Sequence, residues 1–188
     1  TDLMSRNKLT FEILKQTLKK FKNLKIHVVG DTIIDSYTRT NLIGGHVKTP
    51  TPSVLYQEKT DYVGGAGIVA QHLKSAGASV SFTTVLGEDN LKTLVLKEMK
   101  KSGIKINAII DRTRPTTNKN TIVSNGYKLL KVDTVDNHPI SEKILSEMKK
   151  NINKQNSDAI IFSDFRHGIF NKTSIPFLVS SIKKNVFK

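Results

Sequence analysis

A chain of 188 residues with 37% hydrophobic residues is long enough to bury a core and too apolar for global disorder. It has no cysteine, which excludes disulfides and thiolate metal sites and fits a reducing cytoplasm. The formal charge of +14 invites a nucleic-acid reading, but aromatic residues are 6% of the chain and tryptophan is absent, so no base-stacking platform is evident. The lysines fall singly or in pairs, as in Lys19-Lys20, Lys100-Lys101 and Lys149-Lys150. No helix-turn-helix, zinc-finger or RNP-like signature occurs either. Nucleic acid is therefore not expected as a partner. No apolar run approaches a membrane span and no signal-peptide pattern opens the chain, so a cytoplasmic protein with no membrane partner is expected.

In chain order, Phe11, Leu14, Leu18 and Phe21 recur at helical spacing behind Thr10, an N-cap residue type. They predict an amphipathic helix within 1–24, packed on the domain that follows. Lys25 to Gly30 reads as a short buried strand. From Tyr37 to Tyr62 the pattern turns polar and extended, with Pro50 and Pro52 excluding helix and Val54-Leu55-Tyr56 fitting a small secondary sheet. A helix follows over Gly67–Ser75, a strand over Val80–Leu86, and a helix marked by Leu91, Leu94, Val95 and Met99.

From Ile104 to Val132 this rhythm breaks. Ile106 to Ile110 reads as a strand, and Ile122 to Leu130 as a hairpin about Asn125-Gly126, a pair suited to a type I′ turn. Ser141–Lys154 is helical, Asp158–Ser163 is a buried strand, and a last helix starts near Ser174-Ile175-Pro176, with proline in its first turn. The expected fold is a parallel α/β body over 25–188, interrupted by two β-rich excursions at about 37–62 and 105–133.

Two motifs carry chemistry. Gly30-Asp31 ends a strand and places a carboxylate at the mouth of a parallel sheet, where α/β proteins bind small ligands. Gly64-Gly65-Ala66-Gly67 allows close backbone approach and opens a helix whose N–H groups favour anions or hydroxyls. Together they suit a polyol bearing a phosphate. His27 lies within a strand and reads as a structural histidine. His46, His72, His138 and His167 lack metal-ligand spacing, so no metal site is expected.

Val28-Val29-Gly30-Asp31-Thr32-Ile33-Ile34-Asp35 resembles the opening G-D-x-x-x-D strand of the PfkB/ribokinase family of carbohydrate kinases. Gly64-Gly65-Ala66-Gly67-Ile68-Val69-Ala70 is similar to that family's first signature, G-G-A-x-N-x-A, and Leu86-Gly87-Glu88-Asp89 to its G-x-D turn. Arg114-Pro115-Thr116-Thr117-Asn118-Lys119, Leu130-Lys131-Val132-Asp133 and Ser163-Asp164-Phe165-Arg166-His167-Gly168 look most like the kinase acting on heptose 7-phosphate in ADP-heptose synthesis. Ile68, Thr121 and His167 depart from the family's usual Asn, Arg and Lys, and Thr49-Pro50-Thr51-Pro52 is only a loose match to the segment before the double glycine.

The resemblance implies a ribokinase-like parallel sheet covered by helices, with the excursions forming a β-lid that often builds a homodimer. It implies ATP and Mg as co-reactants. Asp31 and Asp35 would contact sugar hydroxyls, Gly64 and Gly65 would give backbone access, Lys119 and Arg114 would hold a substrate phosphate, and Asp164 would sit near the sugar–nucleotide junction. The family's second signature, G-A-G-D, supplies its catalytic carboxylate and an anion hole, and no such sequence occurs here. The expectation is thus an N-terminal portion of a sugar or sugar-phosphate kinase, with the C-terminal part of the fold missing and no catalytic residue in this chain. The alternative is a non-catalytic module of kinase-like fold that binds a sugar phosphate, a protein or nucleic acid.

Overall fold

The computed structural model describes residues 2–44, 51–180 and 182–188. His46, Thr49 and Pro50, which entered the sequence reading, lie outside the described residues. A four-stranded parallel sheet has the order β5-β4-β1-β8, from β1 (Lys25–Gly30), β4 (Ser79–Leu86), β5 (Lys105–Ile110) and β8 (Ala159–Ser163). Strand β1 is buried from Ile26 onward, because both faces of the sheet are covered by helices. Ile26 and Val28 join one apolar cluster with Ala66 and Ala70 of α3 (Ala66–Ser75) and Val95 and Met99 of α4 (Asn90–Lys101). Val29 joins the other, with Ile144, Met148 and Ile152 of α5 (Glu142–Asn153) and Leu178 of α6 (Ser174–Val179).

A second four-stranded sheet has the order β3-β2-β6-β7, from β2 (Thr32–Gly44), β3 (Ser53–Gly65), β6 (Asn118–Ser124) and β7 (Tyr127–Thr134). Strand β2 leaves the end of β1 after one intervening residue, and β3 returns straight into α3, so this sheet is rooted at the C-terminal edge of the parallel one. Asn125 and Gly126 both take positive φ, 48° and 82°, as a type I′ hairpin requires.

Two expectations need correction. The segment Lys105–Ile110 is not part of the second β-rich excursion: it pairs in parallel with β4 as an edge strand of the main sheet, and the second sheet resumes only at Asn118. A short apolar run fits either sheet, and only its tertiary partner decides. The amphipathic helix forms as α2 (Phe11–Lys20), preceded by a short α1 (Asp2–Arg6), and the Thr10 hydroxyl caps it by accepting from the Ile13 N–H at 3.2 Å. It does not pack on the body. None of its residues is buried, and Phe11 is 82% exposed.

Candidate functional site

Each parallel strand is followed at its C-terminal end by an aspartate: Asp31 after β1, Asp89 after β4, Asp111 after β5 and Asp164 after β8. Three of them knit the rim together. Asp31 is 3% exposed, and its Oδ2 accepts the backbone N–H groups of Phe165 at 2.9 Å and His167 at 3.4 Å. Its carbonyl accepts the N–H of Ala66, the first residue of α3, at 2.8 Å. Burial raises the Asp31 pKa, and the two backbone donors oppose that shift. Asp89 caps α4 through the Lys92 N–H at 3.0 Å and accepts the Thr116 N–H at 2.7 Å, while Thr116 Oγ1 accepts from Gly87 N at 3.0 Å. The G-x-D turn is thereby tied to the 114–117 segment.

Asp111 accepts from Thr113 and, at 2.9 Å, from Arg114 Nε, in an ion pair whose side chains are 6% and 9% exposed. Arg114 also donates through Nη2 to the His138 carbonyl at 3.1 Å and through Nη1 to that of His167 at 3.5 Å. Its guanidinium is engaged by three segments of the protein, which is the disposition of a clamp more than of an open phosphate ligand. Asp164 is exposed, and its Oδ1 accepts the Arg166 N–H at 2.7 Å, stabilising a turn in which Arg166 takes a φ of 62°.

The double glycine has two separate jobs. Gly65 adopts a φ of +59°, and a Cβ there would overlap the Asp31 carbonyl oxygen. Gly64 leaves room for a side chain, since a Cβ on it would overlap Asp35 Oδ2. Asp35 stands in register between Tyr62 of β3 and Lys119 of β6, and Lys119 is in turn opposite Asp133 of β7. Paired residues share a face of a sheet, so Asp35, Lys119 and Asp133 form a row across it. That row lies near the loop after β8: the His167 pKa is lowered by burial and by the Lys119 charge, and drawn upward by Asp31, Asp133 and Asp164. His167 Nδ1 lies 2.8 Å from Asn137 Oδ1, whereas Nε2 is buried without a partner. A hollow of about 20 Å³, room for roughly one water, separates His167 from Asp31, Arg114 and Thr117.

The structure thus gathers Asp31, Asp35, Gly64, Gly65, Lys119 and Asp164 at one end of the parallel sheet, with Arg114 behind them. Asp133 and His167 join the group, and neither is singled out as a site residue by sequence reasoning. Counting from the hairpin turn misses Asp133, because a β-bulge between Ile122 and Val123 shifts the register so that Asp133 faces Lys119 in place of Val132. A much larger hollow, about 630 Å³, lies elsewhere, against Arg39, Glu58 and Asn125 near the hairpin turn.

Residues 23–166 match the model of the pfkB family of carbohydrate kinases. The chain belongs to that family. It is 29% identical over 169 residues to the bifunctional protein HldE of Sulfurimonas denitrificans, covering 87% of this chain and 35% of that protein. To HldE of Helicobacter acinonychis it is 30% identical over 156 residues, covering 77% of this chain and 32% of the relative. The chain thus spans about a third of the length of these curated relatives. Among solved structures, a putative phosphofructokinase from Staphylococcus aureus superposes with a TM-score of 0.68 at 12% identity, over 88% of this chain and 51% of that one. Phosphofructokinase-2 from Escherichia coli in complex with fructose-6-phosphate gives 0.65 at 14% identity, over 88% and 53%. At such identities the likeness is one of fold, and the fold is α/β and ribokinase-like, as expected.

Proposed function

We propose that this chain carries the sugar-phosphate side of a carbohydrate kinase, with heptose 7-phosphate as the substrate class. The observation that supports it is the row of Asp35, Lys119 and Asp133 on the second sheet, facing the Asp31–His167 rim. Carboxylates accept from sugar hydroxyls, and a lysine opposite them offers a mobile ammonium to a phosphate. Asp31 contributes by holding the Phe165–Gly168 loop in place, and Gly64 by leaving the Asp35 carboxylate unobstructed. Arg114 is assigned to positioning.

Kinases of this family use ATP with Mg as the phosphoryl donor, and that donor is part of the reading. The G-A-G-D sequence that supplies the family's anion hole does not occur among these 188 residues, so the residues present do not complete a site for that donor. No transfer step is assigned to this chain's own residues.

In this reading residues 25–188 are the kinase-like unit and 1–24 an appendage. The second sheet acts as a lid and as the contact between two copies of the chain, which the exposed Leu42, Ile43, Leu55, Tyr56 and Leu130 support. Among the described residues no helix is long and apolar enough to cross a membrane.

Calorimetric titration with heptose 7-phosphate and with the unphosphorylated heptose tests the site. The phosphorylated sugar is expected to bind more tightly, and Lys119→Ala to erase that preference, a loss of about tenfold or more for a charge-assisted contact. Equal affinity for the two sugars, or a Lys119→Ala variant that keeps the preference, would overturn the assignment.

A further inference from the structure

Part of the charge of +14 gathers at one edge of the parallel sheet. In a parallel α/β layer the helices run back against the strands, so their C-terminal ends gather at the edge where the strands begin. Lysines occupy those positions: Lys100 and Lys101 end α4 and Lys150 lies in the last turn of α5, while Lys25 and Lys105 open β1 and β5. All five are exposed. The aspartates Asp31, Asp89, Asp111 and Asp164 stand at the opposite edge, with the candidate sugar site. The molecule therefore has a lysine-rich end, and the candidate site lies at the opposite one, where Asp31 is buried and Asp111 is paired with Arg114.

Helix α2 sits at the basic end. It leads through a single 3₁₀ turn, Phe21–Asn23, into β1, and the Leu24 carbonyl accepts the Ser79 N–H at 2.9 Å where β4 begins. Its lysines Lys15, Lys19 and Lys20, with Lys22 just beyond, add to the positive field. At 100° per residue, Phe11, Leu14 and Leu18 fall on one stripe, with Phe21 continuing it. Phe11, Leu14 and Leu18 are 82%, 38% and 56% exposed. Leu3 and Leu9, on either side of the preceding turn, are exposed as well.

We propose that α2 and the lysine-rich edge behind it form a docking surface for an anionic phospholipid bilayer. A helix with an apolar stripe flanked by lysines lies in the headgroup plane, burying its apolar face while the lysines meet lipid phosphates. The lysines on α3–α5 and at the strand starts would extend that attraction over the whole edge. A nucleic acid would satisfy the charge and leave Phe11, Leu14 and Leu18 in water. A second copy of this end would satisfy the apolar stripe and oppose like charges. The bilayer answers both features. The expectation of no membrane partner rested on the absence of a spanning run, which a surface-lying helix does not need. Docked this way, the C-terminal edge of the parallel sheet and the sugar site face away from the membrane.

The test is co-sedimentation of the full 188-residue chain with vesicles of phosphatidylcholine alone and of phosphatidylcholine mixed with phosphatidylglycerol. Binding is expected only to the anionic vesicles and is expected to weaken as salt rises. The double variants Phe11→Ser/Leu18→Ser and Lys19→Glu/Lys20→Glu are each expected to weaken it by about tenfold or more. Because α2 buries nothing, both variants are expected to keep the parent's circular dichroism and melting temperature. The chain has no tryptophan, so Phe11→Trp gives a lone reporter whose emission shifts to the blue on insertion. No binding, equal binding to neutral vesicles, an unshifted Trp emission, or double variants that bind as the parent does would each overturn the proposal. So would a chain that sediments with duplex DNA, indifferent to Phe11→Ser/Leu18→Ser, and leaves the vesicles alone.

Discussion

Asp31 Oδ2 accepts the Phe165 N–H at 2.9 Å, across 134 positions of sequence, and so fastens the loop after β8 to the end of β1. The bond turns the first strand-end carboxylate into a structural member of the site: it orders the loop that carries Asp164 and His167. Burial raises its pKa, so its ionised form is held at some cost. Asp31→Asn keeps an acceptor without a charge, whereas Asp31→Ala leaves the Phe165 and His167 N–H groups unpaired. Asp31→Ala is expected to destabilise by about 1–3 kcal/mol. Asp31→Asn should be close to neutral, and more favourable above the carboxylate range than below it. Because the folded pKa is the higher one, the wild-type carboxyl loses stability as pH rises, and the amide does not. Urea unfolding of the three proteins on either side of the carboxylate range decides between these outcomes.

His27 supplies the opposite pH dependence. It is fully buried in β1, with Nδ1 2.6 Å from Ser81 Oγ and Nε2 3.1 Å from Thr83 Oγ1, and burial lowers its pKa from 6.5 to about 4. The unfolded chain therefore binds a proton that the folded chain refuses between those values, and stability falls as pH drops from about 6.5 towards 4. The full loss below that window is about 3 kcal/mol. Thermal melts across this range should lose that slope in His27→Leu, at the price of a lower melting point throughout, since the buried Thr83 hydroxyl and the half-buried Ser81 hydroxyl lose their partner. A parent melting point that stays flat through the window would contradict the assignment.

The two glycines are expected to separate stability from binding. Gly65→Ala forces a side chain into a positive φ and against the Asp31 carbonyl, and should destabilise by about 1–3 kcal/mol. Gly64→Ala crowds Asp35 Oδ2 instead. Its effect should appear mainly as weaker sugar-phosphate binding, read by calorimetry on a protein whose melting point is little changed.

Arg114 and Lys119 should part company in the same way. Removing Arg114 leaves the buried Asp111 carboxylate unpaired and frees the 138–139 and 167 carbonyls, so Arg114→Ala is expected to cost about 3–5 kcal/mol of stability. Lys119→Ala should leave the melting point almost unchanged and act on ligand affinity. Equal destabilisation by the two substitutions in thermal melts would contradict the division of roles.

These relationships mark where sequence reading succeeds. Strand β1 and the Asn125-Gly126 hairpin were legible because a buried apolar run and a positive-φ pair are local facts. The glycines were legible in kind, but that Gly64 serves Asp35 and Gly65 serves the Asp31 carbonyl depends on which strands meet. The place of Lys105–Ile110 is not legible because its four apolar residues, Ile106, Ala108, Ile109 and Ile110, do not name their partner strand. The α2 stripe announced an apolar face without announcing what covers it. Arg114 read as a phosphate ligand because nothing in the sequence says that Asp111, His138 and His167 converge on it. Asp133 was hidden by one bulged residue, which a count back from the hairpin turn passes over.

The most direct test of the central claim is amide chemical-shift mapping of the isotope-labelled chain during titration with heptose 7-phosphate. The expected result is a saturable set of shifts confined to Asp35, Gly64, Lys119, Asp133 and the Asp164–Gly168 loop. Shifts gathered instead at the hollow beside Arg39, Glu58 and Asn125, or no saturable shifts at all, would contradict the account.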